Sequence, residues 1–178
     1  EYDFDDVYFS FPANVILTQK NEKFGLFSRG GKELIKPQFD AINPIVLENL
    51  LISENDGRIG LISKDGEIKF QPIFDVLEPD YFNPLILVEE NGKSGFLDQN
   101  GKIVVPVELD QVMNKVEGLI ICKSNAGWGG ILLDGSKAIP MKYDTIFIAT
   151  NSMLMAEEKG VKTFFNLKGE VIKNPAFD

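Results

Sequence analysis

Residues 50–75, LLISENDGRIGLISKDGEIKFQPIFD, carry the signals that decide the fold. Residues 50–54 are rich in side chains that suit a pleated surface, and they run into Asn55-Asp56-Gly57, a hairpin signal. Arg58–Ser63 reads as the return strand. Lys64-Asp65-Gly66 is a second tight turn, in which Gly66 supplies the positive φ that such a turn requires. Residues 67–70 form a third strand, which Pro72 is expected to stop because proline has no N–H for a ladder. Residues 74–77 begin a short fourth strand. No window of the chain repeats its apolar residues with the period of about 3.6 that marks an amphipathic helix.

The same pattern recurs on both sides. Phe74-Asp75 is matched by Phe4-Asp5, Phe39-Asp40, Leu109-Asp110, Tyr143-Asp144 and Phe177-Asp178, in Asp-to-Asp steps of 35, 35, 35, 34 and 34. The triplet Leu50-Leu51-Ile52 is matched by Val15-Ile16-Leu17, Leu85-Ile86-Leu87, Leu119-Ile120-Ile121 and Met153-Leu154-Met155. Glycines six apart follow, at Gly25/Gly31, Gly60/Gly66, Gly95/Gly101 and Gly129/Gly135, with Thr163/Gly169 in the last copy. Each pair is trailed by a proline, at Pro37, Pro72, Pro106, Pro140 and Pro175. Three landmarks in one register define a single β domain over 1–178, made of units 4–38, 39–73, 74–108, 109–142 and 143–176.

Each unit is then a meander of three or four antiparallel strands. Its apolar triplet lacks alternation, which marks a strand covered on both faces. So thin a sheet cannot bury either face alone, and neighbouring units must stack. Stacked sheets close into a ring or continue as an open array. The first copies are no more polar than the central ones, Val15-Ile16-Leu17 being as apolar as Leu85-Ile86-Leu87, the number of units is whole, and residues 5–9 stand ready to complete the last sheet. The first expectation is therefore an all-β, small five-bladed β-propeller, with an open β-hairpin solenoid as the alternative.

Composition narrows the function. The 178 residues contain no His and a single cysteine, Cys122, so Ser-His-Asp and Cys-His pairs, intrachain disulfides and Cys/His zinc sites are excluded. Lys and Arg number 18 against 27 Asp and Glu, a net charge of −9 that argues against a nucleic-acid partner. No apolar run is long enough for a transmembrane segment. A start at Glu1 fits a processed protein and equally a trimmed chain; a secreted, periplasmic or envelope-associated location is set ahead of a cytoplasmic one. Cys122, beside Ile120 and Ile121, reads as buried packing.

Gly127-Trp128-Gly129, then Asp134-Gly135, Pro140 and Tyr143-Asp144, resembles the WG repeat, also called the KWG repeat. Asn91-Gly92-Lys93-Ser94-Gly95-Phe96-Leu97-Asp98, followed by Gly101-Lys102 and Pro106, is similar to the same pattern, as is Glu117-Gly118-Leu119 ahead of a first strand. The copies are degenerate, since Phe24, Ile59, Ser94 and Lys162 stand where Trp128 keeps the namesake residue. The family is widespread in bacterial proteins. The resemblance implies a β-repeat scaffold with interaction roles and no shared catalytic residues.

Candidate sites are few. The recurring aspartates Asp5, Asp40, Asp75, Asp110, Asp144 and Asp178 suggest either a cation-binding ring or, as the favoured reading, acceptors for turn amides. Gly30-Gly31 and Gly129-Gly130 lack the Gly-Lys-Ser/Thr of a phosphate loop and read as turns. Tyr81, Phe82 and Trp128 are the candidate ligand-binding residues, as a stacking platform for a sugar or a partner; Phe11, Val46-Leu47 and Val116 in the equivalent connections favour core packing instead. The pairs Glu89-Glu90 and Glu157-Glu158 sit at strand ends, where adjacent residues point to opposite faces, a poor arrangement for paired glycosidase carboxylates. No catalytic, cofactor or metal residues are assigned. The expectation is a non-catalytic binding scaffold for a protein or cell-envelope component, with a carbohydrate-binding or carbohydrate-active protein and an architectural spacer as alternatives.

Overall fold

The computed structural model describes residues 3–10, 14–44, 50–80, 83–116 and 118–173, excepting the side chains of 44 and 114–116. The described residues form five four-stranded sheets, each a simple up-and-down meander. The first sheet holds β1 (Asp6–Ser10), β2 (Val15–Lys20), β3 (Lys23–Ser28) and β4 (Glu33–Phe39). The second holds β5 (Ala41–Pro44), β6 (Leu50–Asn55), β7 (Arg58–Ser63) and β8 (Ile68–Phe74). The third holds β9 (Val76–Pro79), β10 (Leu85–Glu90), β11 (Lys93–Asp98) and β12 (Ile103–Leu109). The fourth holds β13 (Gln111–Val116), β14 (Leu119–Ser124), β15 (Gly127–Leu132) and β16 (Lys137–Tyr143). The fifth holds β17 (Thr145–Thr150), β18 (Met153–Glu158), β19 (Val161–Asn166) and β20 (Val171–Ile172).

The hairpin at 50–63 forms as its residues dictate. β6 and β7 pair in direct register from Leu50↔Ser63 to Asn55↔Arg58. Asp56 and Gly57 between them have φ of 52° and 73°, the turn whose twist matches that of the flanking strands. Gly66 takes φ 86°, and its N–H donates to the Ser63 carbonyl at 2.9 Å.

Three details depart from expectation. The third strand does not stop at Pro72: β8 runs through it to Phe74. β8 is an edge strand, and its register against β7 shifts between Ile59 and Leu61, so Pro72 lies in a bulge where no donor is needed. The fourth strand expected over 74–77 is instead the end of β8 plus the start of β9, because the chain changes sheets at Asp75. For the same reason β1 does not complete the last sheet; it pairs with β2 from Asp6↔Gln19 to Ser10↔Val15.

Both faces of β14 are covered. Leu119, Ile120, Ile121 and Cys122 are all fully buried, as the unbroken apolar run requires. The chain's contacts gather into two compact units. One holds the first two sheets and the larger part of the third, and the other holds residues 92–95 and the chain from Val104 onward. In the first unit, Leu17, Leu26 and Ile35 of sheet one pack against Ile42, Leu51 and Ile62 of sheet two. In the second, Leu119, Ile121, Ile139 and Tyr143 of sheet four pack against Ile146, Leu154, Ala156 and Phe165 of sheet five. Full burial of one such side chain stabilises by about 1.5–3 kcal/mol, so stacking holds each thin sheet in place. Among the described residues no helix is long and apolar enough to cross a membrane.

Adjacent repeats also meet backbone to backbone. A Cβ on Gly66 would lie 2.7 Å from the Leu34 Cβ, and one on Gly169 would lie 2.5 Å from the Ala138 Cβ. One on Gly135 would lie 2.5 Å from the Val104 oxygen. The turn glycine thus seats each sheet on the second residue of the preceding sheet's last strand.

Candidate functional site

The recurring aspartates cap hairpins. Asp5 accepts the amide of Asn21 at 2.7 Å, Asp40 that of Asp56 at 2.8 Å, Asp75 that of Asn91 at 2.8 Å and Asp144 that of Lys159 at 2.7 Å. Each amide belongs to the β-turn between the second and third strands of the sheet that the aspartate introduces. The aspartate's own N–H donates to the same hairpin, as from Asp75 to the Glu89 carbonyl at 2.8 Å. One residue therefore ties the entry of a sheet to its central turn.

Three of these carboxylates also bind a cation from the preceding repeat. Lys23 donates to Asp40 at 2.6 Å, Arg58 lies 3.5 Å from Asp75, and Lys93 donates to Asp110. Lys23 and its hydrogen bond hold the Asp40 carboxyl below its ordinary range, and the same contact raises the pKa of Lys23. Sequence reading missed this series, although the 35-residue spacing of Lys23, Arg58 and Lys93 is visible in the chain.

The series breaks in the fourth repeat, where Gly127 occupies the cation's position. The turn there is also different. Asn125 and Ala126 are absent from the residues with positive φ, whereas Gly127 has φ 129°. Gly127 lies against the chain before Asp144: a Cβ on it would sit 2.8 Å from the Tyr143 oxygen. Beside this turn, wholly within the second unit, lies a groove of about 920 Å³. Its walls are the last strands of sheets three and four, with Val105, Val107, Ile131 and Met141 as apolar lining. Pro106 and Pro140 on these walls have no N–H to offer, while Lys93, Lys137, Ser124 and Asn125 supply donors. Glu108 is the one carboxylate of the lining. Lys137 is exposed, whereas Lys93 is held by Asp110. The arrangement suits binding of a chain with apolar side chains and a carboxylate.

Tyr81 and Phe82 lie outside the described residues, as do Phe11 and Val46-Leu47. Trp128 is half-buried on β15, packed against the core of sheets four and five, with Lys123 Nζ 5.8 Å from its ring centre. It is a cross-strand partner of Lys123 and Tyr143 and is not part of the groove lining. Glu158 is paired with Lys142, which raises the pKa of that lysine. Cys122 is buried, and desolvation pushes its thiol up to about 12.

The model for the WG containing repeat matches residues 24–57, 59–93 and 95–128. Comparison with curated proteins gives no match. Among solved structures, the N-terminal domain of Nup159 is 13% identical, with 75% of this chain and 42% of that one covered and a TM-score of 0.39. Kluyveromyces lactis Hsv2p is 11% identical over 97% of this chain and 63% of its own, with a TM-score of 0.33. A eukaryotic initiation factor is 10% identical over 96% of this chain and 55% of its own, with a TM-score of 0.41. The chain thus spans between 42% and 63% of the length of these structures.

Proposed function

The chain belongs to the family of WG containing repeats, and we propose that it is a non-catalytic scaffold that holds a protein partner in the groove between its third and fourth repeats. The observation that carries this reading is the groove itself. Its volume, about 920 Å³, falls within the range of about 300–1,000 Å³ usual for ligand sites. Its walls are largely apolar, and its donors are few, Ser124 and Asn125 at the turn after β14 with Lys93 and Lys137 on the flanking strands, the usual division between contacts that bind and contacts that orient. An extended segment carrying one or two apolar side chains and a carboxylate near Lys137 matches that chemistry. Loops and turns on a rigid repeat array are also where recognition surfaces are commonly built.

The test uses the full chain as immobilised bait with an extract of its source cells, in parallel with Met141→Asp and Lys137→Glu. The reading expects a protein that the wild type retains and both variants lose, while both keep the wild-type unfolding midpoint. Retention that ignores both substitutions overturns the groove as the binding site. Turnover of a glycan by the wild type overturns the non-catalytic assignment.

A further inference from the structure

The junction cations keep one spacing and one target. Lys23, Arg58 and Lys93 each stand 17 residues before the carboxylate they meet, and each meets it at Oδ1, of Asp40, Asp75 and Asp110 in turn. The other oxygen, Oδ2, accepts the turn amide, that of Asp56 in Asp40 and that of Asn91 in Asp75. Asp40 and Asp75 thus divide their two oxygens between their own hairpin and the repeat before it.

Asp144 keeps the first half of this arrangement and not the second. Its Oδ2 accepts the Lys159 amide at 2.7 Å. The residue 17 before it is Gly127, which has no side chain. Gly127 has φ 129°, and a Cβ on it would lie 2.8 Å from the Tyr143 oxygen, so the backbone itself keeps a longer residue out. Lys142, close by in the chain, is held by Glu158. Asp144 is exposed, and among the described residues no ion pair reaches it. Ala126, next to Gly127, and Met141, just before Asp144 on β16, both line the groove, so this carboxylate flanks it.

Granted the groove as the partner's site, on which this rests, we propose that the bound segment presents a lysine or arginine to Asp144 Oδ1 and so supplies from outside the cation that Gly127 cannot. The chemistry is that of three junctions in the same chain. A metal ion does not fit: it needs several oxygen ligands, and among the described residues no group of three His, Cys, Asp or Glu could hold one. The net charge of −9 draws basic segments toward the chain and speeds their encounter. Lys137 opens β16 and Asp144 follows its end, roughly 20 Å away at the usual rise of a strand. An extended partner therefore carries its carboxylate and its cation about six residues apart, and the two charges fix its direction along the groove.

Random peptides displayed on phage, selected on the immobilised full chain, test this. Selected sequences are synthesised and titrated against wild type, Met141→Asp, Asp144→Asn and Asp40→Asn, with melts to verify folding. Asp144→Asn keeps an oxygen for the Lys159 amide and removes only the charge. Peptides that Met141→Asp no longer binds are expected to share a lysine or arginine. Asp144→Asn should weaken them by about two- to fivefold, the range of an exposed ion pair, and the loss should fade at high salt. Replacing the shared basic residue by methionine should abolish the difference between wild type and Asp144→Asn. Asp40→Asn, at a junction that already has Lys23, should bind as wild type does. Groove-dependent peptides without a shared basic residue, or with equal affinity for wild type and Asp144→Asn, overturn the proposal and leave the groove standing. If no selected peptide depends on Met141, the groove falls as the binding site, and the role of Asp144 falls with it.

Discussion

A Cβ on Gly60 would lie 2.8 Å from the nitrogen of Pro72 and 2.6 Å from the oxygen of Phe70. The backbones of β7 and β8 touch at this point, where β8 bulges. Gly25 stands in the same relation to Pro37, at 2.7 Å from its nitrogen. Glycine and proline therefore recur for one joint reason: the first removes a side chain from the contact and the second removes an N–H that the bulge leaves unpaired.

Gly60→Ala is expected to lower the unfolding free energy by about 1–3 kcal/mol, because backbone atoms must part to admit the methyl group. Gly30→Ala is the control. Its new Cβ would meet only the Ser28 hydroxyl at 3.9 Å, and the change should stay within about 0.5 kcal/mol. Urea midpoints measure both, and equal midpoints for the two variants would refute the contact.

The Lys23–Asp40 junction makes a pH prediction. The folded state holds the Asp40 carboxyl below its ordinary value of 3.8. Its stabilisation is thus complete above the unfolded value and is lost as pH falls through the folded one. Asp40→Asn keeps an oxygen for the Asp56 amide and removes the charge. The variant should have the lower urea midpoint at neutral pH, and the gap should close as the pH drops below 3.8. Lys23 shows the same pair from its other end: its stabilisation is present below 10.5 and is lost as pH rises above that value. A gap that is constant from acid to neutral pH would show that the charge contributes nothing.

The period, the turns and the strand content were legible because each rests on local chemistry. Asn55-Asp56-Gly57 specifies its turn whatever surrounds it, and Leu119–Cys122 has no polar face to expose. Pro72 was misread because its effect depends on position within the sheet: in a central strand it ends the ladder, and at an edge bulge it costs nothing. The junction cations are regular in sequence, but Lys23 acquires meaning only once Asp40 is known to enter the next sheet. The groove depends on how the last strands of sheets three and four stand apart beside an altered turn, and no periodicity encodes that spacing. Ring closure likewise depends on a small rotation at every junction, set by contacts such as Gly66 on Leu34.

Cys122 should be inert in the folded protein. Its thiol is buried and held up to about 12, far above the pH of ordinary labelling. Iodoacetamide at mildly alkaline pH should leave native protein unmodified and add one adduct after unfolding, as read by intact mass. The raised value also sets a stability window. The unfolded chain loses this proton near 9.0, so stability should decline from there toward 12 in the wild type and not in Cys122→Ala. Rapid labelling of native protein would overturn the burial.

Thr18 and Ser53 occupy the fourth position of the second strand, where later repeats have Val88, Cys122 and Ala156. Both hydroxyls are buried without a hydrogen-bond partner. A hydroxyl taken out of water and left unpaired costs free energy, and its replacement by an apolar group of the same shape recovers that cost. Thr18→Val changes nothing else at a site that already accepts Val88 in the third repeat. It is expected to raise the unfolding free energy by about 1 kcal/mol. The reverse change, Val88→Thr, should lower it by about 1–3 kcal/mol. Urea melts of the two variants against wild type give both signs at once. A loss of stability in Thr18→Val would mean that an internal water satisfies the hydroxyl, and the repeats would then differ in hydration as well as in packing.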